Sequence, residues 1–340
     1  MMIEHGGDVW LGRGPEAYLD FSANLNPEGP PEWVRSAMAK GLEAARYYPD
    51  PRLGAALEGM SAYAGVPENC LLLTSGGVEA VRRAAELPSA RHVIAQPTFQ
   101  EYGRVCGAHV DIPRAGLAYW TPRTGETLWV CNPNNPTGEA LSRGEMLELL
   151  ARMESVGGRL VVDEAFIDYC PEHSVRDAVA RHPALVVLGS LTKALAIPGV
   201  RLGYLAAHPG VVDRMRKALL PWRLNSVAAA VAAALPGHGA DFERIRALNA
   251  ERRAAFARAM GAAEARVYPS DANFLLCYFE RDMRPAVNRL RERGILLRPC
   301  GEFPGLTHGH VRLCVRTETE NARLVEALEA LNGESARHKF

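Results

Sequence analysis

Leu128-Trp129-Val130-Cys131-Asn132-Pro133-Asn134-Asn135-Pro136-Thr137-Gly138 is an apolar run that stops in a polar double turn. An apolar run of this length with no polar alternation has the pattern of a strand covered on both faces. The pattern recurs upstream in Leu71-Leu72-Leu73-Thr74 and His92-Val93-Ile94-Ala95. Downstream it recurs in Leu160-Val161-Val162-Asp163, Leu185-Val186-Val187-Leu188 and Leu202-Gly203-Tyr204-Leu205. Helical patterns, such as those at 78–87 and 145–156, lie between the runs. Strand alternating with helix predicts an α/β fold, a mostly parallel central sheet with helices on both faces.

The pattern changes at Pro236-Gly237-His238-Gly239. A long charged helix is predicted over 241–260, with Phe242, Ile245, Leu248 and Phe256 at helical spacing. Beyond it come strands at 274–279, 295–298 and 311–315, and helices at 285–293 and 318–331, which suit a smaller α+β domain. The first forty residues, with Pro27, Pro30 and Pro31, read as an arm rather than a sheet layer, and 333–340 as a fraying end. The expected division is an N-terminal arm, 1–40, packing with the small domain, a large domain, 41–236, and the small domain, 237–340. A length of 340 residues agrees with two domains of roughly 150 residues each.

Composition narrows the class of function. Lys plus Arg number 39 and Asp plus Glu 39, so no net positive charge points to nucleic acid or an anionic membrane. The longest apolar run, 227–235, is too short to span a bilayer, and no signal peptide is visible. Seven scattered cysteines without a Cys-x-x-Cys pair read as reduced thiols of a cytoplasmic protein. His308 and His310 have no further ligand at metal spacing, so no metal is expected.

Four polar elements follow or end predicted strands: Thr74-Ser75-Gly76-Gly77-Val78-Glu79, the double turn at 132–138, Asp163-Glu164-Ala165-Phe166, and Ser190-Leu191-Thr192-Lys193 with Arg201 eight residues on. In an open parallel sheet, ligands collect at the carboxyl ends of the strands. A small-residue turn opening a helix offers free N–H groups and a positive dipole end to a phosphate, and an arginine can pair with the same phosphate. A lysine can form a Schiff base with an aldehyde, and a carboxylate can keep a pyridinium nitrogen protonated. Together these are the requirements of pyridoxal phosphate. Singly, each has an ordinary explanation as a turn, a cap or a surface charge. Their order and spacing argue for one site.

The same series resembles the fold-type I, aminotransferase-like pyridoxal phosphate enzymes, over nearly the whole chain. The resemblance implies Lys193 as the Schiff-base lysine and Asp163 as the partner of the ring nitrogen. It assigns Asn135 to the phenolic oxygen, and Arg201, Ser190 and the backbone of Gly76, Gly77 and Val78 to the phosphate. Phe99, in Pro97-Thr98-Phe99-Gln100-Glu101-Tyr102, would stack on the pyridine ring. In these homodimeric families Tyr48, within Arg46-Tyr47-Tyr48-Pro49-Asp50, would reach the partner subunit's phosphate.

Two branches are near: histidinol-phosphate aminotransferases, and the L-threonine-O-3-phosphate decarboxylases of cobalamin synthesis. His5-Gly6-Gly7 with Asp20-Phe21-Ser22-Ala23-Asn24-Leu25-Asn26-Pro27 resembles the decarboxylase arm. Phe166 stands where aminotransferases usually carry Tyr, and the pair Arg312 and Arg316 is similar to the decarboxylase pattern. Val78 departs from the branch, which commonly has polar residues there. The resemblance implies decarboxylation of L-threonine O-3-phosphate to (R)-1-amino-2-propanol O-2-phosphate, with His5, Asn24, Arg298, Arg312 and Arg316 binding the substrate's anionic groups. The alternatives are a histidinol-phosphate aminotransferase, a decarboxylase preferring O-phospho-L-serine, and a regulatory protein that keeps the fold without turnover.

Overall fold

The computed structural model describes residues 6–10 and 14–337. The chain begins with β1 (Leu19–Asp20), α1 (Glu32–Glu43), α2 (Gly54–Ala64), β2 (Leu71–Thr74), α3 (Gly77–Ala85), β3 (Arg91–Gln96) and α4 (Glu101–Cys106). It continues with β4 (His109–Pro113), β5 (Glu126–Cys131), α5 (Arg143–Ser155), β6 (Arg159–Asp163), β7 (Leu185–Ser190), β8 (Gly203–Ala207), α6 (Pro209–Arg216) and α7 (Ser226–Ala233). The remainder is α8 (Gly239–Ala262), β9 (Arg266–Val267), β10 (Phe274–Tyr278), α9 (Arg284–Glu292), β11 (Ile295–Leu296), β12 (Arg298–Pro299), β13 (His310–Cys314) and α10 (Glu318–Arg337).

Seven strands form the large sheet in the order β2-β8-β7-β6-β5-β3-β4. Every pairing is parallel except those of β8, which runs antiparallel to β2 and β7. The apolar runs sort by alternation along each strand. Leu71, Leu73, Leu128, Val130, Leu160, Val162, Leu185 and Val187 enter one core with residues of α1, α2, α5 and α7. Leu72, Ile94, Trp129, Val161, Val186 and Leu188 enter the opposite core with α3, α4 and α6. Because helices cover both faces, neither set can be polar, which is why the strands read as continuous apolar strings. The Ala-rich run at 227–235 is mostly α7, packed between α1 and α2. A Cβ at Gly41 would stand 2.5 Å from Val227 Cα, and one at Gly59 2.1 Å from the Ala232 carbonyl oxygen.

The second unit is a four-stranded antiparallel sheet, β12-β13-β10-β9, whose core takes Phe256 and Met260 from α8, Leu290 from α9, and Leu324 and Leu328 from α10. The arm is tied to this unit. β1 pairs in parallel with β11, Phe21 lies in the same core, and the Cys314 N–H donates to the Phe21 carbonyl.

Three local features differ from the expectations. β4 has no counterpart among the apolar runs, because an edge strand reading His109-Val110-Asp111-Ile112-Pro113 alternates with polar residues instead of running apolar. The strand expected at 295–298 is two, β11 pairing with the arm and β12 with β13. The arm contains a helix, α1, which straddles residue 40. Among the described residues, no helix is long and apolar enough to cross a membrane.

Candidate active site

Since β2, β5, β6 and β7 run in the same direction, the turns that follow them meet at one sheet edge. Antiparallel β8 starts at that edge, which delivers Arg201 beside the turn after β2. A cavity of about 240 Å³ opens between this edge and β12–β13. Eleven of the residues expected from the sequence line it: Asn24, Gly77, Val78, Phe99, Asn135, Asp163, Ser190, Lys193, Arg201, Arg298 and Arg312.

The wall formed by α3 is shaped for a phosphate. Gly76, at φ 84°, precedes the helix, and among the described residues no side chain caps its first N–H groups. A Cβ at Gly76 would come within 2.3 Å of Arg201 Nη2, so only glycine lets the guanidinium lie against the turn. Arg201 itself sits at φ 63°, a left-handed conformation that a side-chain-bearing residue adopts at a cost of about 1–3 kcal/mol. Val78 contributes no hydroxyl. On the same wall Ser190 and Thr192 both line the cavity, their hydroxyl oxygens 2.9 Å apart.

Asp163 closes β6 and is buried. Its Oδ2 accepts a 2.7 Å bond from the Tyr102 hydroxyl and its Oδ1 a 3.0 Å bond from the Ala165 N–H. Burial raises its pKa, against the lowering effect of Tyr102, the Ala165 amide and Lys193. Among the described residues it makes no ion pair, so its charge is left for a cation brought into the cavity. Lys193 lies 5.9 Å from the Phe166 ring centroid. Burial, with Arg312 and Arg201 nearby, pushes its pKa down to about 8.

The opposite wall carries arginines. Arg298 of β12 and Arg312 of β13 are register partners. Arg312 is buried and donates from Nη1 to Asn135 Oδ1 at 2.5 Å and from Nη2 to the Ser22 carbonyl at 2.6 Å. Burial pushes Arg312 down to about 10, still cationic at neutral pH, and Arg298 is lowered for the same reason. Asn24, 2% exposed, keeps an Oδ1 with no hydrogen-bond partner among the described residues.

Pyridoxal phosphate fits this donor set: an uncapped helix start with an arginine for its phosphate, an unpaired buried carboxylate for its ring nitrogen, and a lysine of lowered pKa for its aldehyde. Asn135 lines the cavity with its Oδ1 held by Arg312, which leaves its amide nitrogen as the donor. Among the described residues, no group of three or more His, Cys, Asp and Glu stands where it could hold a metal ion.

Three expected residues among those described do not line the cavity: Gly76, which forms the turn leading into Gly77, Arg316 and Tyr48. Arg316 is a correction: it lies past the end of β13, donates to the Asp20 carbonyl at 3.0 Å and pairs with Glu320 at 2.8 Å. Its guanidinium ties the arm to α10 instead of reaching substrate. Tyr48 is 80% exposed and packs on Trp222 with ring centroids 4.6 Å apart, away from its own chain's cavity. His5 lies outside the described residues, while its neighbour Gly6 lines the cavity. Sequence reasoning missed Tyr102, Gln100, Thr192 and Phe303. Tyr102 had a usable signal: it stands three residues after Phe99, one turn on, where its N–H donates to the Phe99 carbonyl and the rings meet edge to face at 5.6 Å. Phe303 had none, because its loop reaches the cavity only through the β12–β13 pairing.

Residues 16–328 match the family of class I and II aminotransferases. The chain is 34% identical to the threonine-phosphate decarboxylase of Salmonella typhimurium, over 95% of each chain. It is 30% identical to a histidinol-phosphate aminotransferase of Methanoculleus marisnigri, over 95% of this chain and 94% of that one. The solved structure of histidinol-phosphate aminotransferase from Clostridium acetobutylicum superposes with a TM-score of 0.83 at 22% identity, covering 92% of this chain and 99% of that one.

Proposed function

The chain belongs to the class I and II aminotransferase family of pyridoxal phosphate-dependent enzymes, and from that premise we propose that it is a carboxy-lyase. Its substrate is L-threonine O-3-phosphate and its product (R)-1-amino-2-propanol O-2-phosphate, a building block for cobalamin. The carrying observation is the pair Arg298 and Arg312, opposite each other in register, both lining the cavity and, among the described residues, neither bonded to a carboxylate. Like charges directly across a strand pair repel each other. Two such arginines beside the phosphate wall suit a substrate that itself carries two anionic groups, a phosphate and a carboxylate. The greater identity to a threonine-phosphate decarboxylase supports the same reading.

Arg201, Ser190 and the start of α3 would hold the cofactor's phosphate, Asp163 its ring nitrogen and Lys193 its aldehyde. When bound, pyridoxal phosphate supplies the electron sink for the bond broken at the substrate's Cα. Every other part falls to the protein. Arg298, Arg312 and Asn24 bind the substrate's anions and so fix which Cα substituent is presented for cleavage, with His5 as a further anchor. Tyr102 holds Asp163 in place. Lys193, with a pKa near 8, carries the proton that returns to Cα after carboxylate leaves. We read the chain as half of a two-fold dimer, in which Tyr48 and Trp222, exposed aromatics, are covered by the partner and Tyr48 reaches its cofactor. Seven unpaired cysteines suit the cytoplasm.

The test is carbon dioxide and amine product from O-phospho-L-threonine without keto acid, with O-phospho-L-serine and unphosphorylated threonine alongside. Carbon dioxide release, lost by one to two decades in Arg312→Ala, is the expected result, each charge-assisted bond being worth roughly 1.5–3 kcal/mol. Glutamate formed from 2-oxoglutarate and histidinol phosphate, with no carbon dioxide from phosphothreonine, would give the site to an aminotransferase.

A further inference from the structure

Gln100 occupies the turn between Phe99 and α4, and its side chain crosses from the large unit to the small one. Its Oε1 accepts from Arg298 Nη2 at 3.4 Å, and its Nε2 donates to the Glu302 carbonyl at 3.3 Å. From the other side, the Arg298 guanidinium stacks over the Phe303 ring, 5.5 Å from its centroid. Gln100, Arg298 and Phe303 all line the cavity. Arg298 is thus located by an amide and an aromatic face, and neither carries charge. A guanidinium has five N–H donors, and Gln100 takes one of them. Among the described residues no carboxylate pairs with it, so the other donors, with the whole positive charge, are left for a ligand.

We infer that Gln100 is a specificity-determining positioning residue: its neutral amide fixes Arg298 against the small-domain loop without neutralising it, which keeps the site selective for anionic substrates. The inference rests on Arg298 being a substrate anchor. A carboxylate of the same length would keep the shape and the acceptor but would form a charge-assisted pair with Arg298, competing directly with the substrate's anion. It would also lose the donor to Glu302. Gln100 belongs to the element that carries Phe99, so the same contact couples the ring-facing wall to the anion-binding wall.

The experiment uses the holoenzyme and inorganic phosphate, with binding read by calorimetry, in wild type, Gln100→Glu, Gln100→Leu and Arg298→Ala. Phosphate binds wild type and is lost in Arg298→Ala. Gln100→Glu weakens it by about tenfold or more, as expected for an opposed charge-assisted pair, while Gln100→Leu weakens it by about threefold or less. With phosphothreonine the Gln100→Glu defect appears in KM rather than kcat, and the cofactor's absorption spectrum is unchanged because Lys193 and Asp163 are untouched. Phosphate binding in Gln100→Glu equal to wild type overturns the inference, as does an equal loss in Gln100→Leu, which would make the role one of shape alone. Wild-type protein that fails to bind phosphate, or binds it equally after Arg298→Ala, also overturns it. Phosphate binding needs no turnover. Intact, Arg298-dependent binding without carbon dioxide release therefore removes the decarboxylase reading and leaves the role of Gln100 standing.

Discussion

Replacing Glu164 by glutamine should flatten part of the protein's pH–stability profile. Glu164 follows Asp163 and is 2% exposed. Its Oε2 accepts from the Ser174 hydroxyl at 2.7 Å and its Oε1 from the Val175 N–H at 2.8 Å. Burial pushes its pKa up from 4.5 to about 7, with Asp177 adding to the rise and Arg176 and the two hydrogen bonds opposing it. A raised folded-state pKa means that the native protein binds the proton more tightly than the unfolded chain does. The stabilising contribution is therefore full below about pH 4.5 and is lost as pH rises through about 7. The interval between those values, at about 1.4 kcal/mol per pH unit, corresponds to about 3 kcal/mol in all. Between pH 5 and pH 8 wild type should lose about 2.5 kcal/mol through this group, while Glu164→Gln, which cannot titrate, loses none of it. The assay is urea unfolding of both proteins with saturating cofactor at pH 5, 6, 7 and 8, and the readout is the slope of their difference, not its offset. A difference constant to within about 0.5 kcal/mol, or sloping the other way, would refute the argument that Glu164 is buried at the expense of its charge.

Two further outcomes follow from the site. Lys193→Ala should leave the far-ultraviolet spectrum unchanged and abolish both turnover and borohydride fixation of cofactor; cofactor fixed to another lysine in wild type would refute the assignment. Tyr102→Phe removes a donor to a buried carboxylate, worth roughly 1.5–3 kcal/mol, so cofactor should dissociate about tenfold more readily. The Asp163 pKa rises with that loss, so acid release of cofactor, which begins as pH falls through that pKa, should begin at higher pH than in wild type; an unchanged release profile would refute the coupling.

Whatever depends on neighbours along the chain is legible from residue order alone. Strands β2, β3, β5, β6, β7 and β8 are visible because burial on both faces leaves no polar position in most of them. The turn chemistry is visible because Gly76, the Asn-Pro double turn and Lys193 each sit next to a strand end. Parallel strand direction then suffices to bring those turns to one edge. Which distant groups face each other is set by packing in three dimensions. Arg312 bonds Asn135 across 177 positions, and Arg298 meets Gln100 across 198, contacts set by how the small sheet is placed against the large one. Local periodicity carries no information about that placement. The same limit separated the two arginines of Val311-Arg312-Leu313-Cys314-Val315-Arg316. Arg312 lies within β13 and points to the cavity, whereas Arg316 lies past its end, where the backbone turns toward α10 and Glu320 captures the side chain. Strand composition is read residue by residue, but the end of a strand is fixed by its neighbours in space.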